Sequence, residues 1–212
     1  MHDHDEAEHF TKEFWDKRYA EADRIWSGLP NPRLVEHASD LAPGTALDVG
    51  CGEGADVVWL SRRGWRVTGV DVSQVALDRA TRHAAEAGVA ERTSFAQVDL
   101  VAGDALPGDF DLVSMQFMHL PTSAFQDVYA AIARAVRPDG VLLVVGHHPA
   151  DAATGLRNER LSHLLFTPEQ VTVVLDEAQW DIRVADAATR EVSGPDDRAV
   201  TVTDSVVLAV RR

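Results

Sequence analysis

Three glycines and a carboxylate carry the most informative chemistry in this sequence. Gly50, Gly52 and Gly54 follow an apolar run that ends at Val49. Glycines at this spacing let a backbone turn sharply and approach a ligand closely. Asp71 ends the next apolar run, where a carboxylate is placed to accept hydrogen bonds from a ribose diol. Together these residues indicate a site for an adenosine-containing cofactor.

The glycines alone do not identify that cofactor, because Gly50, Gly52 and Ala55 also satisfy the G-x-G-x-x-G/A pattern of dinucleotide-binding proteins. Asp48 favours another class, since a carboxylate there suits the sulfonium-bearing, zwitterionic methionine tail of S-adenosylmethionine (SAM) better than a pyrophosphate. A dinucleotide enzyme also needs a substrate domain, for which a chain of 212 residues leaves no room. SAM is therefore favoured, and nicotinamide or flavin cofactors are the alternative.

Three histidines are candidates for proton transfer. His119 follows the fourth predicted strand, and His147 and His148 end the fifth. Ligands of α/β sheets bind at the carboxyl ends of strands, and imidazole titrates near neutral pH, so we expect at least one of them to be a general base, with His119 and His148 slightly ahead of His147. The same histidines could instead bind a metal ion, with Asp151, or cap backbone groups. Adjacent residues of an extended strand point to opposite faces, so His147 and His148 could bind the same metal ion only if the strand has already ended there.

Other reactive side chains receive weaker predictions. Cys51 lies in the glycine loop and is expected to contribute its backbone to the cofactor site rather than a nucleophile. Arg157 and Arg160 follow the fifth strand, where they either meet an anionic substrate or are solvated. The N-terminal histidines are expected to lie in a solvated tail, with metal chelation as the alternative; they are His2, His4 and His9.

These residues are positioned by alternating strands and helices. Strands are predicted at 46–49, 66–70, 93–98, 111–115 and 141–145, with helices at 55–63, 74–87 and 123–136 between them. Two helices, at 11–22 and 32–41, precede this pattern, and two longer strands, at 181–190 and 200–210, follow it. We predict an α/β fold: a doubly wound, seven-stranded, mostly parallel sheet with an antiparallel C-terminal strand pair. Residues 1–44 would form an N-terminal extension and helical lid, and residues 45–212 the core of a single domain.

Composition limits the partners. The chain has 20 Lys and Arg against 34 Asp and Glu, a formal net charge of −14, whereas a nucleic-acid binder usually carries a basic face. No apolar stretch is long enough to span a membrane, and the N-terminus lacks the apolar core of a signal peptide. One cysteine agrees with a reducing compartment. We expect a cytoplasmic monomer or homodimer that acts on a small molecule.

Three segments resemble the motifs of class I SAM-dependent methyltransferases, which have a Rossmann-like fold: LDVGCGEG at 47–54, GVDVS at 69–73 and QVDL at 97–100. The resemblance implies that Gly50, Cys51 and Gly52 line the path of the methionine and adenosine. It places Asp71 on the ribose hydroxyls, Val72 beside adenine, and Asp99 on the adenine amino group with Leu100 alongside. Met115 and Gln116 correspond to the motif that touches the sulfonium end.

The N-terminal segments FWDKRY (14–19) and IWSG (25–28) resemble the opening of the thiopurine and tellurite-resistance type of small-molecule methyltransferases. That resemblance implies a lid over the cofactor, with Trp26 over the methionine end and Tyr19 in the pocket. The alternative is that Trp15, Tyr19 and Trp26 form the core stripe of one helix.

The functional hypothesis is a SAM-dependent methyltransferase that releases S-adenosylhomocysteine (SAH). A sulfur, selenium or tellurium acceptor is placed slightly ahead of nitrogen or oxygen, because soft anions need little help from a base. The alternatives are a nucleic-acid or protein methyltransferase, a SAM-binding protein without catalysis, and a nicotinamide-dependent oxidoreductase.

Overall fold

A computed structural model of the chain describes residues 9–156, 159–194 and 197–212. Its strands are β1 (Thr45–Val49), β2 (Arg66–Asp71), β3 (Thr93–Gln97), β4 (Phe110–Gln116), β5 (Val136–His147), β6 (Trp180–Ser193) and β7 (Ala199–Arg211). Its α-helices are α1 (Lys12–Ala20), α2 (Pro32–Ala38), α3 (Ala55–Arg62), α4 (Gln74–Glu86), α5 (Phe125–Ala135) and α6 (Pro168–Thr172). None of the helices in these ranges has both the length and the apolar character needed to cross a membrane.

The seven strands of the described residues form one sheet in the order β3-β2-β1-β4-β5-β7-β6. The first five pair in parallel, whereas β7 runs antiparallel to β5 and β6 runs antiparallel to β7. The order reverses between β1 and β4, and this reversal is where open α/β sheets bind ligands. The predicted fold class, including the antiparallel pair at the C-terminus, is confirmed.

The apolar run of β5 is buried on both faces of the sheet. Leu142 and Val144 join one core cluster, and Leu143 and Val145 join the other, since successive side chains of a strand point to opposite faces. β5 begins earlier than predicted, at Val136, because the register against β4 shifts there and the intervening residues bulge from the ladder. Because the bulged residues interrupt the apolar run, the sequence pattern does not show where the strand begins.

Hydrogen bonds hold the first N-terminal helix, α1, against the turn that follows β2. α1 begins after Thr11, whose hydroxyl accepts from the Phe14 backbone N–H. The Asp16 carboxylate on α1 accepts from the Ser73 hydroxyl at 2.7 Å and from the Val75 backbone N–H at 3.2 Å. Ser73 is itself the N-cap of α4, so these bonds dock α1 on the turn that follows β2.

Candidate active site

A cavity of about 780 Å³ opens at the carboxyl ends of β1, β2 and β4. Cavities that hold small molecules and cofactors typically measure about 300 to 1,000 Å³. The residues predicted to bind the cofactor that line it are Trp26, Asp48, Gly50, Cys51, Gly52, Gly54, Asp71, Val72, Asp99, Leu100 and Gln116. The fold thus brings five separate sequence segments to one site.

The glycine loop exposes its backbone to this cavity. Gly50, Gly52 and Gly54 have φ angles of 71°, 51° and 81°, a region that L side chains rarely adopt. Gly52 is also constrained by space, because a Cβ there would lie 2.8 Å from the Tyr19 hydroxyl. The loop is anchored to β2 through the Gly50 N–H, which donates to the Val70 carbonyl oxygen at 2.8 Å.

Asp71 joins the glycine loop to the end of β2. Its Oδ2 accepts from the Gly52 N–H and its Oδ1 from the Ser73 N–H, both at 2.9 Å. Burial raises the pKa of this carboxyl, and the backbone donors oppose the rise. Each oxygen has a second lone pair, so the carboxylate can still accept from two ligand hydroxyls. That arrangement fits a ribose diol.

Asp48 is a buried carboxylate without a donor. It is 2% exposed and lines the cavity, and no hydrogen bond from the described residues reaches it. Burial raises its pKa well above the usual range, and the neighbouring Asp56 and Asp71 raise it further. A cationic ligand group would reverse this shift by offsetting the burial and the repulsion. The residues present therefore fit a ligand that carries positive charge beside an adenosine.

Val72 and Leu100 present apolar surface to the cavity near Asp99. The Asp99 Oδ1 accepts from the Ala102 backbone N–H at 2.9 Å, which orients the carboxylate within its turn. Apolar walls with one acceptor at their edge can bind the faces and the amino group of a purine. The third predicted motif thus lines the same cavity as Asp71 and could hold an adenine there.

The end of β4 separates two residues that were predicted together. Gln116 lines the cavity; its Nε2 donates to the Ser114 hydroxyl at 2.8 Å, and its buried Oε1 has no partner among the described residues. Met115 is 0% exposed and packs in the core. Adjacent strand residues point to opposite faces, so of the two residues of this motif only Gln116 lines the cavity.

Of the three candidate bases, two line the cavity and one does not. His119 and His147 line the cavity, with ring centroids 5.4 Å apart. Phe117 stacks on His147 at 4.4 Å and has a φ of 53°, an uncommon conformation for a non-glycine residue. His148 does not line the cavity; its Nδ1 accepts from the Ala150 N–H at 3.1 Å and caps a short 3-10 helix. His148 is therefore misplaced for the predicted proton transfer.

The metal reading finds no support within the described ranges. No group of three or more His, Cys, Asp or Glu side chains there is arranged to hold a metal ion. Asp151, the fourth suggested ligand, accepts from the Thr203 N–H at 2.6 Å and does not line the cavity. His9 packs against Phe14, whereas His2 and His4 lie outside the described residues. Arg157 and the side chain of Arg160 also lie outside them.

Cys51 is buried in the glycine loop, and its thiol contacts the Gly52 carbonyl oxygen at 3.8 Å. Burial raises the pKa of this thiol well above the usual range, and the charges of Asp71 and Asp48 raise it further. A thiol with a raised pKa is a poor nucleophile at neutral pH. These surroundings favour the backbone role that the sequence predicts for Cys51.

The lid segment, defined as residues 12–31, covers the glycine loop. The Trp26 indole Nε1–H donates to the Tyr19 hydroxyl at 3.1 Å, and both side chains line the cavity. Trp26 follows the end of α1 at Ala20 and is 50% exposed, so it does not continue a core stripe on one helix. Burial raises the pKa of Tyr19 above its ordinary value, so the hydroxyl stays protonated.

Sequence reasoning missed the residues that fix the lid segment. Glu53 is 6% exposed and accepts from the backbone N–H groups of Ile25 and Trp26, at 3.2 and 3.1 Å. Its other oxygen accepts from Arg79 at 2.9 Å. Asp56 accepts from the Asn31 N–H at 2.6 Å, and burial raises its pKa to about 6. The sequence signal that could have pointed to Glu53 is its position between Gly52 and Gly54, inside the glycine loop.

Sequence reasoning also missed Arg190, which reaches the cavity from β6. Its guanidinium carbon lies 5.8 Å from the centre of the Phe117 ring, and its Nε donates to the buried Asp204 at 2.7 Å. No local sequence signal marks this residue, because its partners lie on other elements of the fold.

Residues 46–140 match a family described as a methyltransferase domain. Over 108 residues the chain is 36% identical to the ubiquinone biosynthesis O-methyltransferase of Pseudomonas paraeruginosa, a match that covers 50% of this chain and 45% of that protein. The chain thus spans about half the length of the curated relatives it matches.

Solved structures share the fold over most of the chain. TehB from Haemophilus influenzae superposes with a TM-score of 0.71 and 17% identity, covering 95% of this chain and 67% of that one. Magnesium protoporphyrin IX methyltransferase from Synechocystis, solved with bound SAH, superposes with a TM-score of 0.62 and 20% identity, covering 85% and 80%. Residues 46–140 thus match a methyltransferase domain, and the chain shares the fold of these two solved structures.

Proposed function

We propose that this chain binds SAM and transfers its methyl group to a small-molecule acceptor, with a sulfur-type nucleophile ahead of oxygen or nitrogen. The observation that carries the proposal is the buried Asp48, which has no donor in the described residues and lies beside a glycine loop and the ribose-type carboxylate Asp71. A cationic adenosine compound would meet each of these features. SAM, when bound, supplies a methyl group already activated by the sulfonium.

The residues that would hold SAM are those of the two strand ends and the third motif. Asp71 would accept the ribose hydroxyls, and Asp99 would accept the adenine amino group between Val72 and Leu100. Asp48 and the unpartnered Gln116 Oε1 would face the methionine part. The lid segment would exclude water, because Trp26 and Tyr19 close the cavity above Gly52.

His119 and His147 are the groups that would receive the acceptor's proton. Both rings line the cavity beside Phe117, whereas His148 lies outside it. Imidazole has an unperturbed pKa of about 6.5, closer to that of a thiol, about 8.5, than to that of a phenol, about 10. Proton transfer to imidazole therefore costs less from a thiol than from a phenol, whereas a phenol depends more on such a base. The name of the Pseudomonas relative points instead to oxygen, so a phenol is the second candidate.

Methyl transfer to three matched acceptors without a carboxylate tests the proposal: 4-mercaptobenzamide, 4-hydroxybenzamide and 4-aminobenzamide. Incubation with isotopically labelled SAM and detection by mass spectrometry should show transfer to the thiol at the highest rate. Faster transfer to the phenol would overturn the sulfur preference. Binding of SAM without transfer to thiols, phenols or amines over a broader acceptor panel would indicate a SAM-binding protein and overturn the proposed activity.

Substitution of the histidines tests the proton acceptor. With the phenol, His119→Gln or His147→Gln should lower kcat by about 100-fold or more if that ring is the base. His148→Gln is the matched control, because it removes an adjacent imidazole that does not line the cavity. Equal effects of all three substitutions would contradict the assignment.

A further inference from the structure

Arg190 and Arg33 bind the same buried carboxylate but use their guanidinium groups differently. Asp204 is 0% exposed, and its Oδ2 accepts from Arg190 Nε at 2.7 Å and from Arg33 Nε at 3.2 Å. Arg33 also donates to Glu36 and to the carbonyl oxygens of two β6 residues, Ala188 and Thr189. All three guanidinium nitrogens of Arg33 thus donate hydrogen bonds within the fold, most of them between α2 and the strands β6 and β7.

The remaining donors of Arg190 have no such partners. Within the described residues its only hydrogen bond is the one from Nε to Asp204, so both Nη groups keep their N–H donors. The side chain is 29% exposed and lines the cavity. Because Nε is anchored on a buried carboxylate, the planar group is oriented before any ligand arrives. Two parallel N–H groups on a fixed guanidinium match the geometry of a carboxylate.

The location of Arg190 connects it to the proton-accepting end of the cavity. Its guanidinium carbon lies 5.8 Å from the centre of the Phe117 ring, and that ring stacks on His147 at 4.4 Å. The carboxylates that line the cavity lie in or beside the glycine loop, at the end of α4 and after β2 and β3, on the side assigned to the cofactor; they are Asp48, Glu53, Asp56, Asp71, Glu86 and Asp99. An anion at the acceptor end would therefore be held by Arg190 against the repulsion of an acidic chain.

We propose that Arg190 selects the acceptor, and that the acceptor is a small aromatic or otherwise planar molecule bearing a carboxylate. This deepens the proposed function, on which it rests. The carboxylate would bind the two Nη groups of Arg190, and the ring would pack on Phe117. The nucleophile would then point toward His147 and His119, the imidazoles one ring away.

Equilibrium binding tests the proposal independently of turnover. The protein, saturated with SAH, is titrated with carboxylates and their neutral amides, followed by tryptophan fluorescence: 4-mercaptobenzoate with 4-mercaptobenzamide, 4-hydroxybenzoate with 4-hydroxybenzamide, and phenylacetate with phenylacetamide. A charge-assisted bidentate contact should favour the acid by about 10- to 100-fold in Kd for at least one pair. Acid-to-amide ratios near 1 for all three pairs would overturn the proposal.

Variants separate recognition from a purely structural role. Arg190→Gln should bring the acid-to-amide ratio close to 1, and Arg190→Lys, which keeps the charge but loses the planar fork, should give an intermediate ratio. The matched control is Arg183→Gln on the same strand, which removes a charge paired with Asp181 outside the cavity. If Arg190→Gln does not fold, the Lys variant decides alone: a wild-type ratio in it overturns the bidentate contact.

The outcome for the acceptor class is distinguishable from the outcome for the activity. Transfer to 4-mercaptobenzamide together with equal binding of acids and amides would leave the methyltransferase standing and remove the carboxylate. Preferential binding of an acid that depends on Arg190 supports the proposal even where the tested acid is a poor methyl acceptor.

Discussion

The substitution Glu53→Gln should detach the lid segment from the glycine loop. Both oxygens of the buried Glu53 carboxylate are in use: Oε1 accepts from Arg79 at 2.9 Å, and Oε2 accepts from the N–H groups of Ile25 and Trp26, at 3.2 and 3.1 Å. Glutamine has nearly the same shape but only one acceptor oxygen. Its NH₂ group must therefore face either the guanidinium or the two backbone donors, and one side loses its partner.

The size of the effect follows from burial. Glu53 and Arg79 are 6% and 8% exposed, so solvent does little to replace the lost partner. Breaking a buried ion pair from one side costs about 3 to 5 kcal/mol, and a single charged hydrogen bond contributes about 1.5 to 3 kcal/mol. Because the amide oxygen retains one of the two sets of contacts, we expect a loss of about 2 to 4 kcal/mol in the free energy of unfolding.

Urea denaturation followed by circular dichroism measures that loss, and limited trypsin digestion measures the lid. Trypsin should cleave the variant faster after the exposed Arg24, since the neighbouring backbone is no longer held. Glu91→Gln is the control, because Glu91 is exposed and does not line the cavity. A Glu53→Gln protein as stable as the control variant and equally resistant to trypsin would refute the view that Glu53 fixes the lid segment.

Two further predictions concern the same loop. Gly52→Ala places a Cβ 2.8 Å from the Tyr19 hydroxyl at a φ of 51°, and it should weaken SAH binding about 10-fold or more, as measured by calorimetry. Gly88→Ala, with a φ of 71° and no atom within 4 Å of its Cβ, carries the backbone strain alone and should leave SAH affinity unchanged; equal losses would contradict the contact. Burial raises the pKa of Asp56 from 3.8 to about 6, so the folded chain holds a proton that the unfolded chain releases in this interval. Unfolding free energies measured by urea from pH 4 to pH 7 should therefore fall as pH rises, and less steeply in Asp56→Asn; identical slopes would refute the shift.

The cofactor half of the site could be predicted because its residues lie in short, contiguous segments. The glycine loop and Asp71 each end a buried strand, and parallel strands of one sheet end at the same edge. The order of strands was also accessible, since alternating strands and helices leave few topologies. Local sequence thus contains the information that positions Asp48, Gly52 and Asp71.

The part of the cavity around His119, His147 and Arg190 could not be predicted in the same way. Whether Met115 or Gln116 faces the cavity, and whether His147 or His148 does, depends on where each strand ends and on which face it presents there. Arg190 reaches the cavity only because β6 pairs with β7, where Asp204 anchors it. Such contacts join residues that are distant in sequence, and no local sequence motif indicates them.

The most direct test of the account is calorimetric titration of the purified chain with SAH, for the wild type and for Asp71→Ala, with the exposed Asp78→Ala as control. Because Asp71 would accept the ribose hydroxyls and also holds the Gly52 N–H, its loss should weaken SAH binding by about 10- to 100-fold. Asp78→Ala should bind as the wild type does. Tight wild-type binding that depends on Asp71 is the predicted result. Failure of the wild-type chain to bind SAH, or binding of a nicotinamide dinucleotide in its place, would contradict the central claim.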